Sequence, residues 1–488
     1  TLSLHYPTVT AELAGVREAL ERFSYTAESV VELLGAERLP LPGAPEMAHF
    51  LHLTRGNSPL TLLVRLFLLG VPVPAAVARV ALGDHVLAGF QQCGLLAICG
   101  ETLEPLCRLQ PFRGMVIACD HADTQGREQI MGITESTMQL ADSGQRQRAG
   151  STLDLGTGTG VVALAATSYS RSVTGTDISP RALAFARFNA ALNGISNIEF
   201  EQGDSFQPVR GRRFDLILSN PPFAITPGVR FTYRDSGLAG DEFCRRLIRA
   251  APEHLEEGGF AQCTCDWIQT AGQDWTERLK SWFEGIGCDA WVLRTQTDTA
   301  ADYAAKWIRD TEYGAGEERR KLYDEWARFY EREGIAAVST GLIVLRRRSG
   351  GNRVRFDDAP EVLGAFGDDI AAAFAAQDFL EEASEDAFLN ARLKLHPAAR
   401  LEQELEPSPD GWKVAAARVR ITRGLRWAGN VDGHAAALLA RCNGLRTVRE
   451  ATAAFAAALG APPERVTPGA AALLRQMVAR GYLRANPA

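Results

Sequence analysis

The sequence predicts an α/β fold for the middle of the chain, residues 149–348, and two observations support that prediction. First, strand-like and helix-like segments alternate there, which indicates a parallel sheet with crossover helices. Second, several strand-like segments end in glycine, aspartate or asparagine, as expected where a ligand meets the carboxyl edge of such a sheet. The expected strands are STLDLG, SVTGTDI, IEFEQGD, FDLILSN and GGFAQCTC.

The helices follow these strands in order, and the end of the region departs from simple alternation. The segments GVVALAATSY, RALAFARFNAALNG and EFCRRLIRAAPEHL are expected to be helices. The segments CDAWVLRTQ and STGLIVLRRR are expected to pair as antiparallel strands at the edge of the sheet. Between them, residues 299–333 are expected to form a helical insertion, which either shapes a substrate pocket or packs as an amphipathic layer.

The flanking regions, residues 1–148 and 349–488, are predicted to be mainly helical, winged-helix-like domains. In the first, helical segments near Thr10–Leu34 and Leu60–Leu69 precede the strand-like runs GLLAICG and GMVIACD, and an α/β cap with no recognition role fits the same pattern. In the second, paired strands around the turn SPDGW precede three short helices. Such small modules bind peptides or DNA in some proteins and are inert scaffold in others.

Composition and charge narrow the class of protein. The net charge of -7 provides no general basic field for tight nucleic-acid binding. The nine cysteines form no CxxC pair and their number is odd, which predicts reduced thiols and no zinc site. Arginines and prolines interrupt the apolar stretch Leu60–Leu82, and no signal peptide opens the sequence. We therefore expect a cytoplasmic protein without a bound metal and without membrane attachment.

The turn LDLGTGTG directly follows the first strand of the middle region and indicates a ligand-binding loop. Gly156, Gly158 and Gly160 permit a tight turn and a close approach of the backbone to a ligand. Asp154, at the mouth of the loop, would repel a pyrophosphate. It suits a cationic ligand, such as the amino group and sulfonium of S-adenosylmethionine. We expect Thr157 to belong to the same cofactor-binding loop.

Two further acids follow the next two strands. Asp177 lies about twenty residues beyond the loop, where a carboxylate can accept hydrogen bonds from both ribose hydroxyls. It could instead cap the next helix, although Ser179 before Pro180 already fits that role. Asp204 is placed to accept from an adenine amino group, or else forms a simple Gly-Asp turn. The remaining predicted cofactor-binding residues adjoin these acids and are Ile178, Ser205 and Phe206. Ser205 and Phe206 would line the base pocket with backbone and ring.

The fourth strand ends in Asn220, Pro221, Pro222 and Phe223, which we expect to be the catalytic residues. The side-chain oxygen of Asn220 and the backbone carbonyl of Pro221 are two acceptors that can hold an NH₂ group by its two hydrogens. That would turn the nitrogen lone pair toward an electrophile. Phe223 offers a flat face to a planar amide or base. A strand that merely ends in proline would have the same sequence. Asn220 is also counted among the residues expected at the cofactor.

Together these motifs resemble the class I S-adenosylmethionine-dependent methyltransferases that methylate amino groups. The resemblance covers roughly the middle 110 residues and implies a Rossmann-like sheet of seven strands. It also implies that the loop with Asp154 contacts the methionine part of the cofactor. By the same resemblance, Asp177 binds ribose, Asp204 lies at the adenine, and residues 220–223 hold the target nitrogen.

The choice of acceptor follows from the finer resemblance. The segment NPPFAITPG and the later GLAGDEF are similar to the HemK branch, which methylates a glutamine amide in release factors. Phe223 stands where that branch usually has tyrosine, and ribosomal-RNA guanine methyltransferases carry NPPF. A protein glutamine amide is therefore the first choice, and the net negative charge favours it. Methylation of an RNA or DNA base (guanine N2 or adenine N6) is the alternative, which the basic run Arg346 to Arg355 favours.

Two other classes of function stay open. One is a small-molecule N-methyltransferase in which the terminal regions act as a lid or as dimer contacts. The other is a binding protein that senses the cofactor through its middle domain. An intact tetrad at residues 220–223 argues against a sensor, because a sensor has no need to grip a target nitrogen.

Overall fold

The computed structural model describes residues 5–40, 46–121, 124, 126–144, 149–311, 316–409 and 411–486. The chain divides into two compact units. The first comprises residues 1–141 and 148–357, and the second comprises residues 142–147 and 358–488. The division into three domains at residues 148 and 348 stays a prediction.

The amino-terminal part of the first unit is helical, with two small antiparallel sheets of order β1-β3-β2 and β4-β5. Its helices are α1 (Leu13–Arg22), α2 (Ala27–Leu34), α3 (Met47–Leu53), α4 (Pro59–Leu63), α5 (Ala75–Leu82), α6 (Asp84–Gln92) and α7 (Glu135–Ser143). Its strands are β1 (Val73–Pro74), β2 (Leu96–Cys99), β3 (Thr102–Pro105), β4 (Arg108–Phe112) and β5 (Met115–Cys119). A π-helical turn, Val64–Leu68, continues α4. The expected helical segments and both expected strand runs are confirmed, whereas a winged helix stays a prediction.

The rest of the first unit is an eight-stranded mixed sheet with helices, which confirms the α/β class. Its order is β13-β11-β12-β10-β9-β6-β7-β8. The strands are β6 (Ser151–Leu155), β7 (Ser172–Asp177), β8 (Ile198–Gln202), β9 (Phe214–Ser219), β10 (Leu255–Thr270), β11 (Cys288–Thr299), β12 (Ile335–Arg347) and β13 (Val354–Asp358). The helices are α8 (Val161–Ala166), α9 (Pro180–Leu192), α10 (Glu242–Ala250), α11 (Glu277–Phe283), α12 (Ala300–Thr311) and α13 (Gly316–Glu333). Short 3₁₀ turns cover Gln207–Val209 and Ala251–His254.

Two details of the predicted sheet are wrong. The sheet has eight strands instead of seven, and β11 and β12 pair antiparallel as predicted but do not form its edge. Strand β13 lies outside β11, and β12 lies between β11 and β10. An edge strand needs only one hydrogen-bonded neighbour and little burial. The segment VRFDD, which is half-buried at most, therefore carries no apolar run by which the sequence could reveal it.

The predicted helical insertion is α12 and α13, and it packs as an apolar layer. Tyr303, Ile308, Trp326, Phe329 and Tyr330 are all buried in one cluster. Ile225, five residues beyond Asn220, is a fully buried member of that cluster. The insertion therefore lies directly against the segment that follows the predicted catalytic tetrad.

The second unit combines helices with small antiparallel sheets of order β14-β18, β20-β15-β21 and β16-β17-β19. Its helices are α14 (Gly367–Glu382), α15 (Glu385–Asn390), α16 (Gly433–Leu439), α17 (Val448–Ala458) and α18 (Pro463–Ala479). Its strands are β14 (Val362–Leu363), β15 (Arg392–Leu395), β16 (Ala399–Ser408), β17 (Gly411–Ile421), β18 (Gly424–Leu425), β19 (Ala428–Asn430), β20 (Asn443–Thr447) and β21 (Leu483–Asn486). The hairpin around SPDGW and the three last helices are confirmed, while α14 and α15 are additional.

All nine cysteines are free and eight of them are buried, including Cys263 and Cys265 in the core of the sheet. Among the described residues, no three His, Cys, Asp or Glu side chains are grouped so that they could hold a metal ion. None of the helices that the structure describes combines the length and the hydrophobicity that a bilayer crossing requires.

Candidate active site

The predicted site residues lie at one edge of the sheet because their strands are parallel and adjacent. Leu155, the last residue of β6, pairs with Thr176 on one side and with Ser219 on the other. The glycine-rich loop, Asp177 and Asn220 each follow directly from this level of the sheet. The carboxyl ends of three neighbouring strands therefore bring the loop, the acid and the tetrad together, as in other open α/β sheets.

The glycine-rich loop is held by the neighbouring strand and leaves open space on its outer side. The backbone N–H groups of Gly156 and Thr157 both donate to the carbonyl of Thr176, at 2.9 and 2.8 Å. Gly156 and Gly158 have φ of 75° and 55°, and a Cβ atom on either would meet nothing within 4 Å. A Cβ on Gly160, by contrast, would lie 3.1 Å from that of Ala186 on α9. The first two glycines thus serve the turn and the open face, and the third permits close packing of α9.

Asp154 lies beneath this loop and is 2% exposed. Its Oδ2 accepts from the Thr157 hydroxyl at 2.6 Å and from the Ala163 backbone N–H at 3.0 Å, so the carboxyl joins the loop to the start of α8. Its Oδ1 takes no part in these two bonds. Burial raises the pKa of Asp154 to about 7, partly opposed by the two hydrogen bonds. The structure therefore gives Asp154 a role in shaping the loop, and its contact with a cofactor stays a prediction.

Asp177 is half-buried at the end of β7 and connects two backbone turns. Its Oδ2 accepts from Gly158 N–H and its Oδ1 from Ser179 N–H, each at 2.9 Å. Ser179 itself caps α9, accepting from Ala182 N–H, as predicted. Next to Asp177, the side chain of Ile178 is 55% exposed, an unusual position for an isoleucine. An exposed apolar side chain beside a carboxylate is consistent with a nucleoside site. Binding of the cofactor by Asp177 and Ile178 stays a prediction.

The residues predicted at the adenine divide into an exposed turn and a buried ring. Asp204 and Ser205 are exposed, and the Ser205 hydroxyl donates to Asp204 Oδ1 at 2.9 Å. Ser205 has φ of 49°, an uncommon conformation for a residue with a side chain. Phe206 is buried, and its ring stacks on His254 with centroids 4.5 Å apart. The Phe206 ring therefore packs in the core, which leaves Asp204, Ser205 and the turn backbone as the accessible groups.

Asn220 is half-buried and its amide is oriented from both sides. The Thr264 hydroxyl donates to Asn220 Oδ1 at 2.5 Å. The Nδ2 group donates to the hydroxyls of Ser136 and Thr137 at 3.3 and 3.4 Å. Because an amide oxygen has two lone pairs, Oδ1 can accept one more hydrogen bond. The remaining tetrad residues follow: Pro221 is buried, Pro222 is half-buried, and the half-buried Phe223 meets the edge of the Trp307 ring.

The sequence did not reveal the hydroxyls that hold Asn220. Ser136 and Thr137 begin helix α7, in a segment that was assigned to the flanking domain, and Thr264 lies on β10. Hydroxyl residues are common at helix starts, where Thr134 indeed accepts from Thr137 N–H. The sequence therefore carries no separate indication that Ser136 and Thr137 belong to the site. The position of Thr264 on β10 connects it with the site, because the neighbouring Cys263 pairs with Ser219 at the end of β9.

Helix α9 connects the glycine-rich loop to the amino-terminal region through two asparagines. Asn189 accepts from Ala118 N–H at 2.7 Å and donates to the carbonyls of Ala118 and Thr159 at 3.0 and 2.9 Å. Asn193, one turn later, pairs in the same way with both backbone groups of Val116. The side chains thus act as an extra strand partner for β5, and Asn189 also reaches the loop.

The basic run Arg346 to Arg355 is tied into the sheet. Three of its guanidinium groups approach Asp289 Oδ2, namely Arg346 at 2.6 Å, Arg353 at 3.4 Å and Arg348 at 3.7 Å. Their side chains are 11%, 18% and 27% exposed. Asp289 is buried, and burial alone would raise the pKa of its carboxyl. Hydrogen bonds and attraction to Arg346 and Arg353 nevertheless hold that pKa below the usual range. This run therefore belongs to the packing around β11 and β12 and is a weak argument for nucleic-acid binding.

Comparison with protein families identifies three segments. Residues 132–265 match the methyltransferase small domain, which includes the glycine-rich loop, the tetrad, Thr264 and the start of α7. Residues 22–106 and 371–485 match two domains of unknown function, DUF7059 and DUF7782. The methyltransferase match thus begins before residue 149, where the sequence had placed the start of the domain.

Several curated relatives that the chain matches are named as glutamine methyltransferases. The chain is 33% identical over 157 residues to the release factor glutamine methyltransferase of Xylella fastidiosa, covering 30% of this chain and 56% of the relative. It is 43% identical over 193 residues to that of Aliivibrio fischeri, covering 36% and 65%. It is 37% identical over 123 residues to the ribosomal protein uL3 glutamine methyltransferase of Xanthomonas campestris, covering 23% and 40%. The chain thus spans about half the length of the first of these relatives.

A solved structure was also found, the YcgJ protein of Bacillus subtilis. It is 15% identical to this chain, and the match covers 44% of this chain and 100% of the YcgJ chain. The TM-score of 0.31 is too low to bear on function. The motifs at one sheet edge and the family match bear on function instead. Residues 132–265 match the methyltransferase small domain, and the three curated relatives described above are named glutamine methyltransferases.

Proposed function

We propose that this chain is an S-adenosylmethionine-dependent N-methyltransferase and that its acceptor is a glutamine side-chain amide of a protein. One observation carries the proposal: the tetrad at residues 220–223 and the glycine-rich loop follow adjacent strands at the same sheet edge. An acceptor nitrogen held at the tetrad would therefore meet a donor held at the loop. The names of the relatives, release factor and uL3 glutamine methyltransferases, support the choice of acceptor.

The residues at the loop fit S-adenosylmethionine by their chemistry. The open outer side of Gly156 and Gly158 admits a ligand against the backbone. Asp177 retains lone pairs for ribose hydroxyls, and Asp154 Oδ1 is an acceptor for a cationic amino group. Ile178, Asp204, Ser205 and Phe206 are proposed around the adenine, with Phe206 contributing through its backbone. When bound, S-adenosylmethionine supplies an electrophilic methyl group on a sulfonium.

At the acceptor side, the chain positions a nitrogen and needs no tuned acid or base. Asn220 Oδ1 and the Pro221 carbonyl would accept the two hydrogens of an amide NH₂, so that the nitrogen lone pair points out of the amide plane. Phe223 would stack on that plane. As the nitrogen takes the methyl group, the bond from that methyl to sulfur breaks, and the two fixed acceptors stabilise the charge that develops on the nitrogen. One amide hydrogen then leaves as a proton to solvent, so that the product is a neutral N-methyl amide. Thr264 fixes which end of the Asn220 amide faces the acceptor.

A protein acceptor is favoured over a nucleic-acid base. The basic run at residues 346–355 is largely engaged with Asp289 and adds little to a phosphate-binding surface. The net charge of -7 also disfavours a polyanionic acceptor. A cytoplasmic site of action would follow if the acceptor is a translation protein.

The test is transfer of tritium from S-[methyl-³H]adenosylmethionine into an extract of cells that lack this chain, followed by protease or nuclease. We expect protease to remove the label, and mass spectrometry should then place one methyl group on a glutamine. Purified release factors and uL3 serve as direct acceptors. Label that only nuclease removes would replace the proposal with base methylation, and label in small molecules alone would contradict any macromolecular acceptor. Asn220→Ala protein is the matched control.

A further inference from the structure

The reactive segment, residues 220–225, is held at both ends from one face of strand β10. Thr264 donates to Asn220 at the start of the segment, at 2.5 Å. Asp266, two residues further along β10 and so on the same face, accepts from the Tyr303 hydroxyl. The Tyr303 oxygen in turn accepts from the Ile225 backbone N–H at 3.2 Å. Strand β10 thus fixes Asn220 directly and Ile225 through a tyrosine of helix α12.

The second helix of the insertion completes the contact. The Tyr330 hydroxyl on α13 donates to the Ile225 carbonyl at 2.9 Å. Ile225 is 0% exposed, so its peptide groups have no access to water and depend on these partners. Its N–H and its C=O are therefore both satisfied by tyrosines of the insertion, one from each helix.

Two further residues of this arrangement are also held in place, namely Asp266 on β10 and Arg234 in the loop that follows Ile225. Asp266 is 1% exposed, and its other oxygen accepts from the Thr340 hydroxyl on β12 at 2.7 Å. Arg234 donates to the Thr311 hydroxyl at the end of α12, at 2.6 Å, and its carbonyl accepts from Ala224 N–H at 3.2 Å. The insertion therefore holds the loop at Ala224 as well as at Ile225.

We propose that the α12–α13 insertion is a positioning device for methyl transfer, in which Tyr303 and Tyr330 are positioning residues. By fixing the peptide groups of Ile225, they set where the Pro221 carbonyl and the Phe223 ring lie relative to Asn220. The segment 220–225 is short and its two prolines restrict φ, so a shift at Ile225 is transmitted to the tetrad and is not absorbed along the chain. This inference rests on the proposed function, because the tetrad must act on an acceptor for its position to matter.

The test combines hydrogen–deuterium exchange with methyl transfer in the full-length chain. Tyr330→Phe and Tyr303→Phe each remove one hydroxyl and keep the packed ring. Tyr323→Phe is the matched control, since Tyr323 packs against the same cluster and makes none of the contacts to residues 220–225. Exchange into peptides that cover residues 220–226 is measured by mass spectrometry. Binding of S-adenosylhomocysteine and the rate of tritium transfer into the protein fraction of the extract are measured in parallel.

We expect faster exchange confined to residues 220–226 in both variants, unchanged affinity for S-adenosylhomocysteine, and a maximal transfer rate lowered about 10- to 100-fold at near-constant half-saturating acceptor. Tyr323→Phe should match the wild type. Unchanged exchange in those peptides would overturn the inference, and so would faster exchange with an undiminished transfer rate. If Tyr303→Phe unfolds because Asp266 loses a hydrogen-bond partner, the Tyr330→Phe variant still tests the inference. If even the wild type transfers no label, the proposed function fails, while the exchange result still shows whether the hydroxyls hold the segment.

Discussion

At the residue scale, Asn220 is the side chain on which the proposed chemistry depends. Asn220→Ala removes the acceptor oxygen but leaves the glycine-rich loop and Asp177 in place. We expect the rate of methyl transfer to fall by roughly 10²-fold or more, as when one preorganised polar contact is lost. Affinity for S-adenosylhomocysteine, measured by calorimetry, should hardly change. Normal turnover of this variant would remove Asn220 from the mechanism.

Asp177 belongs to the cofactor side of the same edge. Asp177→Ala removes the proposed acceptor for the ribose and also the bonds to the N–H groups of Gly158 and Ser179. We expect affinity for S-adenosylmethionine to weaken by about 1–3 kcal/mol, the size of a lost charged hydrogen bond. Asp204→Ala offers a comparison, since Asp204 is exposed and makes no such bonds to the loop. Equal affinity of wild type and Asp177→Ala would contradict the ribose assignment.

At this scale the sequence identified residue types better than side-chain directions. It placed Asp154, Asp177 and Asn220 at strand ends, because the order of apolar runs and punctuating residues fixes strand ends. It placed the Phe206 ring in the base pocket, whereas the ring turns into the core and stacks on His254. Nor did it reveal that Asp154 is buried. Direction and burial depend on neighbours that are distant in sequence.

At the element scale, helix α9 couples strand β5 to the glycine-rich loop, and Asn189 is the point of contact. Asn189→Ala would leave the N–H and C=O of Ala118 and the carbonyl of Thr159 without this partner. We expect the free energy of unfolding to fall by about 2–4 kcal/mol, since several buried polar groups lose their bonds. Affinity for S-adenosylhomocysteine should fall as well, because Thr159 lies within the loop.

Asn193→Ala is the natural comparison for that prediction. Asn193 pairs with Val116 in the same manner, but its third hydrogen bond goes to the Asn189 carbonyl and not to the loop. It should therefore lose stability and keep cofactor affinity, as seen by chemical denaturation and calorimetry. Equal loss of affinity in both variants would indicate general loosening of α9 and not a specific link through Thr159.

Three of the elements that the sequence missed share a physical cause. Strand β13 needs only one neighbour and little burial, and helices α14 and α15 pack in the second unit through a few apolar residues such as Phe374 and Phe388. Elements with a strong apolar run, such as β9 and β10, were predicted correctly. Local patterning therefore predicted these two apolar strands, and it failed for β13, α14 and α15, which depend on a partner strand or helix.

At the scale of the whole molecule, two buried carboxyls make stability depend on pH. Burial raises the pKa of Asp154 and that of Asp266 from 3.8 to about 7 in each case. At pH values between about 4 and about 7, these two carboxyls bind more protons in the folded chain than in the unfolded chain. The free energy of unfolding should therefore fall as pH rises from about 4 to about 7 and then level off.

Asp266→Asn separates this effect from the other titrations. The variant removes one of the two raised carboxyls while retaining an oxygen that can accept from Thr340. We compare the free energy of unfolding of the variant with that of the wild type at each pH. The difference, variant minus wild type, should be larger at about pH 8 than at about pH 5, by about 1–3 kcal/mol. Denaturant titrations at both pH values provide the measurement. Parallel pH profiles for wild type and variant would show that Asp266 does not titrate in this window.

The sequence by itself determined the α/β class, the succession of the central strands along the chain and the strand-end positions of the glycine-rich loop, Asp177 and the tetrad. These follow from local periodicity and from glycine, proline and acidic residues, whose conformational effects act within a few positions. Only the tertiary structure decided which hydroxyls orient Asn220, that two tyrosines hold Ile225, and that the basic run closes on Asp289. Those contacts join residues more than forty positions apart. Such pairings arise from packing of whole elements, which no local pattern records.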